Sequence, residues 1–167
     1  MLLYICDWLP PDFGAVGQCS VHLARQRAQA GETVVLGGLS STADSVEEFA
    51  FGAGKLKILR FKIAPYEKQR LVRRLIWTIR ANLLLLWRLR RELRQADRVL
   101  FTGSPPFMLH LLAPLNLLMR KHLIYRITDF HPECLMAGMK KTPLPVRLFH
   151  RLTVFWRKRV QEFEILG

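Results

Sequence analysis

Five short apolar runs, four of them followed by a stretch of helical character, constrain this chain more than any other feature. They are LLYIC (2–6), TVVLGG (33–38), LKILRF (56–61), RVLFTG (98–103) and HLIYRIT (122–128). A continuous run of this length, ended by glycine or polar residues, suits a strand buried on both faces. Strands are expected near 2–6, 33–37, 56–61, 98–102 and 123–127. Between them lie helical stretches near 18–30 and 66–95, another from the SPPF turn to about 121, and one from Pro143 to about 162. STADSVEEFAFGAG (41–54) reads as a polar loop or short helix, and FEILG (163–167) as the start of a further strand. Strand–helix alternation predicts an α/β fold: a Rossmann-like, open, mostly parallel sheet with helices on both faces. In such sheets ligands sit outside the carboxyl ends of the strands. The loops 7–17, 102–106 and 128–134 therefore matter by position.

Length and composition agree with one domain. The chain has 167 residues, half of them hydrophobic and a tenth aromatic, enough for a real core. The formal net charge is +13, unevenly spread. The first sixty residues are close to neutral, whereas 66–98 and 99–167 are strongly basic. That asymmetry points to a surface facing something anionic. Nucleic acid is not expected, because charge is the whole case for it and no reading motif accompanies it. Residues 99–119 carry no charge and are long enough to span a bilayer, but Gly103, Pro105, Pro106 and Pro114 favour a strand, a turn and a helix. Cys6, Cys19 and Cys134 have no paired spacing, and MLLYIC is too short and too neutral for a secretory leader. Free thiols in a cytoplasmic setting are expected.

The three loops carry the polar chemistry. Gly14-Ala15-Val16-Gly17 lies between a strand and a helix N-terminus, where N–H groups favour an anion such as phosphate. The same glycines also suit tight packing, and both readings stand. Neither the dinucleotide fingerprint nor a Walker-type loop is present. Thr102, Gly103 and Ser104 form a turn with hydroxyls and N–H groups at a strand end. Asp129, His131 and Glu133 place two carboxylates and an imidazole within five residues after another strand. Their spacing is not that of a metal site, and no metal or cofactor is expected.

Taken in order, DWLPPDFGAVGQ, then AGETVVLGG, then LFTGSPPFMLHLLAPLNLLMRKHLIYRITDFHPE, and finally the helix from Arg157 to Glu164 are similar to the N-terminal domain of GT-B glycosyltransferases. The resemblance is to the retaining family-four type, which builds bacterial polysaccharides and glycolipids, and it covers nearly all of residues 1–167. It implies a sugar transferred from a nucleotide-diphosphate donor to a lipid-linked or saccharide acceptor. Gly14 to Gly17 would lie at the interdomain cleft, near the donor diphosphate and the acceptor. Asp129, His131 and Glu133 would line the acceptor side or touch the donor sugar, with His131 the candidate for catalysis. Thr102 to Pro105 would shape the cleft floor. The sequence departs from the family pattern at Ala15, where a second glycine is common, and at His131, where tryptophan is common. In this family the nucleotide-sugar pocket, with its catalytic residues, belongs to a second Rossmann-like domain. The resemblance thus makes residues 1–167 an acceptor-side half, inactive without a C-terminal half that a separate chain could supply.

EKQRLVRRLIWTIRANLLLLWRLRRELRQADR (67–98) raises one more expectation. Its apolar centre is too short to span a membrane. Arg73, Arg74, Arg80, Arg88, Arg90 and Arg91, with Trp77 and Trp87, form a candidate surface for anionic headgroups. In the other reading the apolar residues pack on the sheet and the arginines are solvated. The membrane reading implies a peripheral protein on the inner face of the plasma membrane. It also keeps open a different class of function, a non-catalytic docking or scaffold subunit of a split glycosyltransferase.

Overall fold

The computed structural model describes residues 1–12, 14–65, 71–128, 136 and 143–165. Seven strands form one sheet: β1 (Leu2–Trp8), β2 (Thr33–Ser40), β3 (Ser45–Phe51), β4 (Gly54–Lys62), β5 (Arg98–Thr102), β6 (His122–Ile127) and β7 (Glu162–Ile165). Their spatial order is β3-β4-β2-β1-β5-β6-β7, and every neighbouring pair is parallel except β3 with β4. The helices are α1 (Ala15–Gln29), α2 (Leu71–Arg88), α3 (Arg90–Gln95), α4 (Met108–Met119) and α5 (Leu144–Arg157). The α/β class, the mostly parallel sheet and the helices on both faces are as the sequence predicts.

Strand alternation divides the core into two layers. Leu3 and Ile5 of β1 point to one side, where residues of α2, α3 and α4 cover them. Leu2, Tyr4 and Cys6 point to the other side, toward α1. The buried face of α1 is made of small residues: Gly17, Ser20, Ala24 and Ala28. Such a face lets the helix lie close on the strands. Ser20 Oγ donates to Tyr4 Oη at 2.7 Å and ties the two together.

The structure corrects two sequence expectations, and it gives Trp77 and Arg88 partners within the fold. Residues 45–51 are a strand, not a loop or helix, and pair antiparallel with β4 through a tight turn in which Gly52 takes φ 58°. The alternation is masked because the α1-facing positions include Ser45 and Glu47, which hold the Arg60 guanidinium at 3.3 and 2.6 Å. Helix α1 begins at Ala15 rather than Gln18, so Ala15, Val16 and Gly17 are its first turn and not a loop. Trp77 is turned inward: it stacks on Trp8 with ring centroids 5.6 Å apart, and its Nε1 donates to the Ala64 carbonyl at 2.6 Å. Arg88 is likewise engaged, in an ion pair with Asp44 at 2.8 Å. The sheet-facing residues of α2 are Thr78, Ala81, Asn82 and Leu85. Its bulkier Leu75, Ile76, Ile79 and Leu83 face outward. Among the described residues no helix is long and apolar enough to cross a membrane.

Candidate functional site at the carboxyl ends of β1 and β5

The order of the strands singles out one place. From β1 the chain moves to β2 on one side, and from β4 it crosses back to β5 on the other. The crevice between the carboxyl ends of β1 and β5 is therefore the topological switch point, where open α/β sheets bind ligands. Here Asp7 of β1 accepts a hydrogen bond from Ser104 Oγ through its Oδ2. Thr102, fully buried, donates its hydroxyl to the Ser104 carbonyl. The chain then turns through Pro105 and Pro106, and Asn82 of α2 donates from Nδ2 to the Pro106 carbonyl at 2.7 Å. The 102–106 turn is thus held from β1 on one side and from α2 on the other.

The α1 N-terminus follows β1 at the same end of the sheet. The N–H groups of Ala15, Val16 and Gly17 have no partner within the helix, because the first intrahelical bond runs from Gln18 to Gly14 at 3.1 Å. No acidic side chain and no capping side chain occupies this first turn. The helix dipole therefore favours an anion there. Gly14 is extended (φ −172°), a conformation open to any residue, and a Cβ there would be 3.6 Å from the nearest atom. Gly17 differs: a Cβ would lie 1.9 Å from the Trp8 carbonyl oxygen. Its glycine is demanded by packing of α1 on the end of β1. Of the two readings open for this pair, packing accounts for Gly17 and ligand approach remains for Gly14.

The segment between β1 and α1 is pinned by residues the sequence analysis did not single out. Arg60, almost entirely buried, donates from Nε to the Pro10 carbonyl at 2.7 Å. Asp12 accepts from the Ser41 N–H at 2.9 Å and from the Ser41 hydroxyl. Burial opposes the Asp12 carboxylate, but the Ser41 and Ser40 hydrogen bonds and the Arg60 charge outweigh it and lower its pKa. Burial pushes the Cys6 thiol well above its usual range, with the Asp7 charge adding to it, so Cys6 is a core residue and not a nucleophile. Burial also raises Tyr4 to about 12.

Gly14 to Gly17 follow β1, and Thr102, Gly103 and Ser104 end the adjacent β5, so both groups stand at the same end of the sheet, with Asp7 bonded to Ser104. Asp129, His131 and Glu133 lie outside the described residues. β6, which precedes them, pairs with β5 up to Thr102↔Arg126, so Thr128 stands at the same end of the sheet. Its hydroxyl is buried and has no hydrogen-bond partner among the described residues. Asp7 escaped the sequence reading because its partner Ser104 is 97 residues away.

No protein-family model matches the sequence, and no curated protein matches it significantly. Solved structures do match the fold. An alpha,alpha-trehalose-phosphate synthase (UDP-forming) from Burkholderia vietnamiensis superimposes with a TM-score of 0.55 at 14% identity, over 98% of this chain and 39% of that one. A structure described as trehalose-6-phosphate from E. coli bound with UDP-2-fluoro glucose matches with a TM-score of 0.52 at 13% identity, over 75% of this chain and 32% of that one. The chain shares with these structures an α/β, Rossmann-like fold with a mostly parallel sheet. The chain spans between about a third and two fifths of the length of these structures.

Proposed function

We propose that the protein is the acceptor-side half of a glycosyltransferase of the retaining family-four type. It would work with a nucleotide-diphosphate sugar as donor and a lipid-linked or saccharide acceptor. The observation that carries this reading is the crevice between β1 and β5. A helix N-terminus free of acidic residues follows β1, and a turn fixed by Asp7 and Ser104 follows the adjacent β5, in a fold shared over 98% of the chain with a UDP-forming synthase. In this reading the α1 N–H groups face the donor diphosphate. Asp7 orients the 102–104 turn, whose N–H groups and hydroxyls form the cleft floor. Asp129, His131 and Glu133 follow β6 and approach from the acceptor side. A second Rossmann-like unit, in the same or a separate chain, supplies the nucleotide pocket and most of the catalytic groups.

The test is turnover, read as release of nucleoside diphosphate from a panel of nucleotide sugars with polyprenyl-linked and saccharide acceptors. Residues 1–167 alone should give none, and the protein joined to or mixed with its second unit should turn over. Ser104→Ala should lower that turnover by about tenfold or more, since positioning errors at a cleft wall are costly. Turnover by residues 1–167 alone would contradict the half-enzyme reading. A two-unit protein that consumes no nucleotide sugar would remove the glycosyltransferase reading itself.

A further inference from the structure

Helices α2 and α5 present apolar residues where a surface helix normally presents polar ones. On α2 the side chains of Val72, Leu75, Ile76, Ile79, Leu83 and Trp87 are between 43% and 70% exposed. At 100° per residue they form one stripe along the whole helix. On α5 the same holds for Leu144, Leu148, Leu152 and Phe155, between 45% and 67% exposed. Thr153 is buried on the opposite side of that helix. Single exposed apolar residues are ordinary, but two continuous stripes mark an interaction surface.

The two stripes belong to one side of the molecule. α2 and α4 pack residues into the same core layer, and α5 packs against α4, contributing Trp156 to that layer. α1 lies on the other side of the sheet.

Charge identifies the occupant. Neither α2 nor α5 contains an acidic residue, and every charged residue on both is arginine. Arg73 and Arg80 flank one edge of the α2 stripe, and Arg147 and Arg151 flank one edge of the α5 stripe. A second copy of this chain, at +13, would bring arginine against arginine. A surface that is apolar within and anionic at its edge satisfies both features at once.

We propose that α2 and α5 together form a two-point docking platform for an anionic lipid bilayer. The leucines, isoleucines, Trp87 and Phe155 enter the headgroup–acyl boundary, and the flanking arginines meet lipid phosphates. This differs from a surface built on α2 arginines and both tryptophans. Trp77 and Arg88 serve the fold, and α5 is a second contact. The platform stands independently of sugar transfer in the crevice.

The experiment is co-sedimentation of the purified protein with vesicles of phosphatidylcholine, with and without phosphatidylglycerol, at low and high salt. Binding should require the anionic lipid and fall with salt. Ile79→Gln/Leu83→Gln on α2 and Leu148→Gln/Phe155→Gln on α5 should each weaken it by about tenfold or more. Arg147→Gln/Arg151→Gln should weaken it and reduce its salt dependence. These side chains are exposed, so circular dichroism and melting should match the parent protein. A blue shift of tryptophan emission on vesicle addition, lost in Trp87→Phe, should report insertion. Protein left in the supernatant with anionic vesicles at low salt overturns the proposal. So does binding that the α5 pair leaves unchanged, which would make the contact electrostatic and confined elsewhere. A dimer in sedimentation equilibrium that Leu148→Gln/Phe155→Gln dissolves would assign the stripe to a second copy instead.

Discussion

Gly14 and Gly17 look alike in the sequence and answer to different forces. At Gly17 any side chain meets the Trp8 carbonyl oxygen at 1.9 Å, and that atom is backbone and cannot swing away. Gly17→Ala should therefore destabilise the fold by about 2–3 kcal/mol, read as a lower urea midpoint. Gly14→Ala meets only ordinary contacts and should cost less than about 1 kcal/mol. That makes Gly14→Ala the usable probe of the crevice. In the two-unit enzyme it should reduce donor turnover while the melt stays near that of the parent. Unchanged turnover would remove Gly14 from the ligand site.

At the scale of elements, the contact between α4 and α5 carries a titratable group. His110 Nε2 and Thr153 Oγ1 lie 3.0 Å apart, and the imidazole stacks on Phe149 at 4.8 Å. Burial, and then the Arg157 charge, hold its pKa below the usual 6.5. The folded state therefore resists protonation that the unfolded chain accepts. The stability this provides is present above 6.5 and is lost as pH falls from there toward the lower folded value. Urea midpoints should decline between about pH 7.5 and 5, and His110→Gln should flatten that decline. An unchanged slope would show that this contact is indifferent to protonation. The β3–β4 hairpin illustrates a different kind of coupling between elements. It holds the Arg60 guanidinium, and Arg60 in turn holds the Pro10 carbonyl, so an edge hairpin fixes the approach to α1.

For the whole molecule the dominant electrostatic fact is a net charge of +13 on 167 residues. Exposed pairs such as Lys57–Glu48 at 3.0 Å offset little of it. Self-repulsion opposes the compact state, and salt screens it over a Debye length of about 10 Å at 0.1 M. The melting temperature should rise as sodium chloride is added from low ionic strength, by several degrees. A fall would mean that the ion pairs outweigh the repulsion. The same charge would act in the bilayer docking proposed for the α2–α5 side. The crevice opens at the carboxyl end of the sheet, while the platform occupies one of its faces.

The sequence by itself determined the sheet and its parallel character. Burial on both faces writes itself into local composition, so LLYIC, TVVLGG, LKILRF, RVLFTG and HLIYRIT each announce a strand without reference to any other. It pointed to the candidate crevice for the same reason, since ligands follow the carboxyl ends of such strands. It could not show Asp7 with Ser104, because a hydrogen bond across 97 residues has no local signature. It hid β3, because the positions facing α1 include Ser45 and Glu47, whose partner Arg60 lies in the next strand. Periodicity gave α2 an apolar stripe but not its direction. Only the tertiary structure decided that, by packing Thr78, Ala81 and Asn82 against the sheet and leaving Ile79 and Leu83 outside. A helix encodes that it has two faces, and the space left by its neighbours decides which one is buried.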